Sequence, residues 1–248
     1  MKKTVLLLLL SLVSVSAGEI TIAVAANVSY AIEALKKEFN VAYPQTQVQV
    51  ILGSSGKLTA QIKHDAPYGL FMSADMKYPE ALYSEKIAVT EPVVYAQGAL
   101  AFLSVKDQNY TVGMNILESK EIKKIAIANP QTAPYGIAAA EALTNAGLYE
   151  ELKEKFVYGE SISQTVTYAA TAADIGLVAK SSLLSPQMSE YKENIHWSDV
   201  NETLYTPISQ GMVILKKGEG NPEVKAFYDF ILSKKAKEIL KNFGYKVE

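Results

Sequence analysis

Ser54 and Lys57 have the residue types and the spacing of an acylating pair, in which a serine nucleophile is followed three positions later by a lysine. Enzymes that use this pair also carry an S-D-N and a K-T-G element further along the chain. The nearest strings here are Ser198-Asp199-Val200 and Lys216-Lys217-Gly218, and both lack a required residue. A serine acyl-transfer hydrolase that uses Ser54 and Lys57 is therefore only an alternative interpretation.

The same turn, Gly53 to Lys57, is similar to a phosphate-binding loop but departs from it at two positions. Ile51 stands where the first glycine is required, and Leu58 follows the lysine where serine or threonine would hold magnesium. The two histidines, His64 and His196, lie in polar segments without a carboxylate or second histidine at ligand spacing. We therefore predict no catalytic residue, no direct protein ligand to a metal cation and no cofactor.

The composition excludes further kinds of site. The chain has 248 residues, and its 24 basic residues are all lysine, against 26 acidic residues and no cysteine. A thiolate metal site, a disulfide or a lipidated cysteine is therefore impossible, and no arginine fork can bind a carboxylate or phosphate. Because the charges nearly balance, we expect no nucleic-acid partner.

Residues 1–17 have the pattern of a cleaved secretory signal. The basic start, Met1 to Lys3, precedes an apolar run that includes Leu6 to Leu10, and small residues lead up to Ala17. The run is too short to span a bilayer, which needs about 20 residues. We therefore predict export to the periplasm with cleavage after Ala17.

Strand and helix patterns alternate along the rest of the chain. Ile20 to Val24 and Gln47 to Leu52 predict buried strands, and between them apolar residues recur at helical spacing after Asn27, which we expect to cap that helix. The alternation starts again near Ala99, and one last amphipathic helix is predicted from Phe227 to Phe243. Such alternation is typical of α/β proteins with parallel sheets and right-handed crossovers.

We predict two lobes, each a mostly parallel sheet flanked by helices. Residues 18–97 plus 205–248 would form the first lobe, and residues 98–204 would form a second lobe inserted into it. One doubly wound domain remains the alternative, because the length of the chain permits both.

Four junctions that precede predicted helices are rich in small and hydroxyl-bearing residues. They are Ala25–Asn27, Gly53–Gly56, Pro134–Gly136 and Gly159–Ser163. In an α/β sheet such junctions lie at the carboxyl ends of strands, where helix N-termini expose unpaired N–H groups and a partial positive charge. An anion can be held there without lysine or arginine. The simpler interpretation of each junction is that Asn27, Ser55 or Ser161 only caps its helix.

Taken in order, these junctions and their surroundings resemble the periplasmic molybdate-binding proteins of ABC transporters. The similar strings are Ile22–Asn27, Gly53–Leu58, Ala66–Asp75, Asn129–Ala138, Val224–Phe230 and Phe243–Tyr245. The resemblance implies the two-lobed, periplasmic-binding-protein-like fold (type II). It also implies a monomeric receptor, not an enzyme, that captures molybdate or tungstate between its lobes and delivers the oxyanion to a membrane permease.

The resemblance further implies an oxyanion-binding site made of Asn27, Ser55, Tyr135 and Ile162. Asn27 and Ser55 would donate from side chain and backbone, whereas Tyr135 and Ile162 would donate from the backbone. Ala179 stands where many members have a ligand tyrosine, and whether Tyr135 supplies its hydroxyl or only its N–H group stays open. The alternative ligand is another small anion, either sulfate or an organic acid, although organic acids are normally clamped by the arginine that this chain lacks.

Overall fold

The structure is a computed structural model that describes residues 18–248. The predicted signal sequence, residues 1–17, lies outside the described residues. The β-strands are β1 Glu19–Ala25, β2 Gln47–Gly53, β3 Leu70–Met72, β4 Val93–Gly98, β5 Leu100–Leu103, β6 Ile125–Ala128, β7 Phe156–Gly159, β8 Ile175–Ala179, β9 Trp197–Asp199 and β10 Ile208–Ile214. The α-helices are α1 Ile32–Ala42, α2 Ser55–Lys63, α3 Lys77–Ser84, α4 Pro134–Asn145, α5 Tyr149–Leu152, α6 Ile162–Thr171, α7 Lys180–Leu183, α8 Pro222–Ile231 and α9 Lys234–Asn242.

The first sheet has the strand order β2-β1-β3-β10-β4, and we call it, with the helices packed on it, the first lobe. Strands β2, β1 and β3 run parallel, while β10 is antiparallel to both of its neighbours. The apolar stripe of α1 packs against the sheet and against α8, where the rings of Phe39 and Phe227 meet edge to face at 5.0 Å between centroids. Leu58 of α2 and Leu82 of α3 pack on the other face of the sheet, where they share a cluster with Ala23. Burial of both faces explains why β1 is an almost uninterrupted apolar run.

The second sheet repeats that arrangement in the order β7-β6-β8-β5-β9, and with its helices it forms the second lobe. Strands β7, β6 and β8 are parallel, and β5 is antiparallel to both β8 and β9. The chain passes between the sheets twice, once between Gly98 and Leu100 and once between Asp199 and Ile208. Each sheet is thus mixed, with one reversed strand inside it.

Several elements differ from the sequence-based expectation. The prediction that Asn27 caps a helix is wrong, because Asn27 lies inside a 3-10 turn, Ala26–Tyr30, that ends before α1 begins. The single last helix is in fact two, because Ser233 accepts a hydrogen bond from the backbone of Ala236 and starts α9 as a separate element. Strands β4, β7 and β9 were not predicted. Within residues 18–248, no helix has both the length and the apolar character needed to cross a membrane.

Candidate anion site between the lobes

A small cavity lies where the two lobes meet. The space in it that a water-sized sphere can occupy is about 10 Å³, against roughly 300–1,000 Å³ for the pockets of drug-sized ligands. The residues around it are Ala25, Ala26, Asn27, Gly53, Ser54, Ser55, Ala74, Ala133, Pro134, Tyr135 and Ile162. The structure therefore brings together all four residues predicted to bind an oxyanion, and the cavity suits a small ion better than a larger molecule.

Asn27 reaches the cavity from the 3-10 turn that follows β1 and is fully buried. Its Nδ2 group donates to Gln210 Oε1 at 2.7 Å and to the Tyr245 hydroxyl at 2.9 Å. Its Oδ1 atom has no hydrogen-bond partner among the described residues. Asn27 is thus held by the side chains beneath the cavity and does not serve as a helix cap.

Ser54 and Ser55 present two buried hydroxyls at the start of α2. The Ser55 Oγ atom accepts a hydrogen bond from the backbone of Ala74 at 2.9 Å, which leaves its proton free to be donated. The Ser54 Oγ atom makes no capping bond and is the second buried side-chain atom that lacks a partner in residues 18–248. The turn therefore offers hydroxyl donors as well as the unpaired N–H groups of a helix N-terminus.

The second lobe reaches the cavity through the N-termini of α4 and α6. Tyr135 is the second residue of α4 after Pro134, and Ile162 is the first residue of α6. Backbone N–H groups in the first turn of a helix have no acceptor within that helix, so both can donate to a ligand. Ser161 is the cap of α6, because its Oγ atom accepts from the backbone of Gln164 at 3.3 Å. The capping interpretation therefore holds for Ser161 and fails for Asn27 and Ser55.

The residues that line the cavity carry no charged side chain. Lys57 lies further out, where its Nζ atom forms an ion pair with Glu160 of the second lobe, and both side chains are more than half exposed. Lys57 therefore makes its hydrogen bond across the cleft and not to the buried Ser54 hydroxyl. This geometry does not favour the acyl-transfer interpretation, which needs a base within hydrogen-bond reach of the nucleophile.

A buried polar network lies beneath the cavity, and sequence reasoning missed it. Gln210 on β10 accepts from Asn27 and from the Tyr95 hydroxyl at 3.2 Å, and its Nε2 atom lies 3.3 Å from the Tyr135 hydroxyl. Burial raises the pKa of Tyr245 to about 12 and the pKa values of Tyr95 and Tyr135 well above their ordinary value. These phenols therefore stay protonated at neutral pH. The one signal in the sequence is the polar pair Ser209 and Gln210 in a strand whose other residues are apolar or glycine.

Direct contacts hold the two lobes together around the cavity. The Gly56 N–H group donates to the Thr132 carbonyl at 2.9 Å. Ser163 donates to the Ala26 carbonyl at 2.8 Å, and Ser181 donates to the Asn27 carbonyl at 3.0 Å. The structure therefore has a closed cleft, because each bond joins a residue of the first lobe to one of the second.

Comparison with known proteins gives consistent matches. The family model for bacterial extracellular solute-binding proteins matches residues 20–246. A molybdate-binding protein of Rhodobacter capsulatus is 35% identical over 235 residues, which cover 94% of this chain and 90% of the relative. A molybdate-binding protein of Azotobacter vinelandii is 36% identical over 236 residues, covering 94% and 91%.

Solved structures agree with these matches. The periplasmic molybdate-binding protein of Azotobacter vinelandii has a TM-score of 0.84 at 32% identity, covering 92% of this chain and 99% of that one. The sulfate-binding protein SubI of Mycobacterium tuberculosis has a TM-score of 0.76 at 12% identity, covering 93% and 87%, which shows a shared fold alone. The predicted two-lobed α/β fold is confirmed.

Proposed function

Because the chain belongs to the family of bacterial extracellular solute-binding proteins, we propose that it captures molybdate between its lobes and delivers the anion to the permease of an ABC transporter. The observation that carries the proposal is a neutral cavity on which three helix N-termini and the buried Asn27 and Ser55 side chains converge. In our proposal the oxyanion is bound by Asn27, Ser55, Tyr135 and Ile162. Tungstate has nearly the same size and charge, so it binds in the same way.

Selection among anions follows from hydrogen-bond type and from size. Molybdate is a fully deprotonated dianion near neutral pH, so a shell of donors satisfies all of its oxygens. Hydrogen phosphate carries a proton that needs an acceptor, and leaving that proton unpaired in a buried site costs about 1–3 kcal/mol. Sulfate is also a pure acceptor but is smaller, so it makes longer and weaker bonds in a cavity fitted to molybdate.

The proposal also covers where the receptor acts, its oligomeric state and the motion of its lobes. The chain acts in the periplasm after cleavage following Ala17, as a monomer without a cofactor, and has no enzymatic activity. Residues 18–97 plus 205–248 and residues 98–204 move as two lobes about the two crossings. Closure buries the anion and presents a surface made of both lobes to the permease, a hinge motion of the kind that binding proteins use.

Isothermal titration calorimetry on the processed chain tests the proposal. We expect molybdate and tungstate to bind at micromolar concentrations or below, sulfate much more weakly and phosphate not detectably. A matched pair of variants, Asn27→Ala and Ser55→Ala, should each weaken binding of molybdate.

Tight binding of sulfate or of an organic acid, with no response to molybdate or tungstate, would contradict the proposal in favour of the alternative ligands. Hydrolysis of a β-lactam by the unmodified chain, lost in Ser54→Ala, would restore the acyl-transfer alternative.

A further inference from the structure

The atom of the Asn27 amide that is free to meet an anion is the oxygen, which is an acceptor and not a donor. Its Nδ2 group is fully used by Gln210 and Tyr245, whereas its buried Oδ1 atom has no partner in the described residues. The two atoms diverge from one carbon, so Oδ1 lies on the side away from those two partners. Since an oxyanion needs donors, an amide oxygen turned toward it would repel it.

Rotating the Asn27 amide alone does not solve the problem. A half-turn would bring Oδ1 to the place of Nδ2, against Gln210 Oε1 at about the present 2.7 Å. Two acceptors would then face each other in a buried position without a proton between them. The orientation of Asn27 is therefore coupled to the orientation of Gln210.

We propose that Gln210 is a positioning residue whose side-chain amide rotates together with that of Asn27, so that Asn27 Nδ2 faces the anion while Gln210 Nε2 donates to Asn27 Oδ1. This inference rests on the proposed function and adds a residue that does not itself touch the anion. The rotated pair keeps one N–H···O bond between the two side chains and frees the Asn27 Nδ2 group to donate to the ligand.

The surrounding hydroxyls allow this reversal because each can donate or accept. Tyr95 now donates to Gln210 Oε1, but it lies 3.3 Å from the Ser73 carbonyl and can donate there while accepting from Gln210 Nε2. Tyr245 now donates to the Asn27 carbonyl at 2.9 Å and can redirect its proton to Oδ1. The carbonyl keeps its bond from Ser181. No group is left unpaired after the rotation.

Tyr135 is the member of this hydrogen-bond network that belongs to the second lobe, and it couples the rotation to that lobe. Its hydroxyl now accepts from Gln210 Nε2 at 3.3 Å, and after the rotation it donates to Gln210 Oε1. A Cβ atom on Gly98 would collide with the Tyr135 hydroxyl and approach Gln210 Nε2 to 2.7 Å, so the glycine at the crossing leaves room for this contact. The rotation commits the Tyr135 hydroxyl to Gln210, and Tyr135 then serves the anion through its backbone N–H group.

A double-mutant cycle on molybdate affinity tests the coupling, with Asn27→Ala, Gln210→Met and the double variant measured by calorimetry. We expect Gln210→Met to weaken binding about tenfold in the unmodified chain, because the Asn27 donor loses the partner that orients it. In the Asn27→Ala background the same change should alter affinity less than about twofold. Equal losses in both backgrounds would mean that Gln210 only supports the fold, and would overturn the inference.

A second measurement uses only the unmodified protein, so it does not depend on whether a variant folds. In the unmodified protein labelled with ¹⁵N, the side-chain amide signals of Asn27 and Gln210 can be assigned through their own side-chain protons. Addition of tungstate should shift both pairs of signals. A shift of the Asn27 signals alone would overturn the coupled rotation. Failure of the unmodified protein to bind either metal oxyanion would instead reject the proposed function, so the two failures are distinguishable.

Discussion

The two lobes have the same sheet topology but contribute to the cavity in different ways. The first lobe lines it with the polar side chains of Asn27, Ser54 and Ser55, whereas the second lobe lines it mainly with Ala133, Pro134 and Ile162. What the second lobe offers is the backbone at the starts of α4 and α6. One half of the site therefore depends on side-chain identity, and the other half depends on where a helix begins.

The largest effect should come from removing a backbone donor of the second lobe. In Ile162→Pro the N–H group is lost, while proline suits the first position of a helix and the extended Ser161 (φ −134°, ψ 165°) suits the residue before it. We expect molybdate affinity to fall roughly 100-fold, as for a lost hydrogen bond to a charged group. Ile162→Val keeps the donor and should bind nearly as the unmodified chain does. An equal loss in both variants would contradict the role of the Ile162 N–H group as a donor to the anion.

Removing a hydroxyl of the first lobe should have a smaller effect on molybdate affinity. Ser55→Ala should weaken molybdate binding about tenfold, and because the Ala74 N–H loses its acceptor it should also lower the free energy of unfolding by about 1 kcal/mol. Ser161→Ala is the matched control in the second lobe, since it removes a cap worth about 1 kcal/mol. Urea unfolding and calorimetry should show similar stability losses but an affinity loss only at Ser55.

Closure should be weakened by a methyl group placed between the lobes. A Cβ atom on Gly56 would lie 3.0 Å from the Thr132 carbonyl of the second lobe, so we expect Gly56→Ala to displace that carbonyl by a few tenths of an ångström, whereas the Tyr78 hydroxyl of the first lobe, at 2.7 Å, can swing aside. We expect roughly fivefold weaker binding, mostly as faster dissociation in stopped-flow measurements. Ala60→Ser, on the exposed side of the same helix, is the control and should change nothing. Faster dissociation in both variants would show that any change in α2 disturbs the site.

The smallest effect is expected at the exposed ion pair between Lys57 and Glu160. Pairs of this kind contribute about 0–1 kcal/mol, so Lys57→Gln should weaken molybdate binding about twofold at low salt and not measurably at high salt. Lys153→Gln removes a comparable pair within the second lobe and should leave affinity unchanged. A large loss in Lys57→Gln that persists at high salt would mean that the lysine charge acts on the anion directly.

The periodic elements of the fold were predictable because burial leaves a local pattern. The strands β1 and β2 and the apolar stripe of α1 follow from the spacing of residues that face the core. The break between α8 and α9 was missed because the apolar residues continue on both sides of it, and the Ser233 cap decides where the helix restarts. Strand β7 carries the half-exposed Tyr158 and β9 is three residues long, so neither has a pattern of its own.

The site was predictable to the extent that it lies at the starts of helices. The family resemblance is confirmed, and the Asn27, Ser55, Tyr135 and Ile162 junctions meet at one cavity. Their role as anion ligands remains a prediction. The network around Gln210 could not have been found in this way, because Asn27 is 183 positions from Gln210 and 218 positions from Tyr245 in the chain.

The residue composition limits the kinds of hydrogen-bond donor that this protein can offer to a ligand. A chain without arginine or cysteine can neither clamp a carboxylate with a guanidinium nor bind a metal through thiolates. The donors that remain at its four strand-to-helix junctions are hydroxyls, amides and helix N-termini. Which of those donors converge, and which way each one points, follows from the folded structure and not from the composition. Convergence requires two sheets to close on one another, and the direction of an amide is set by partners that the fold brings from far along the chain.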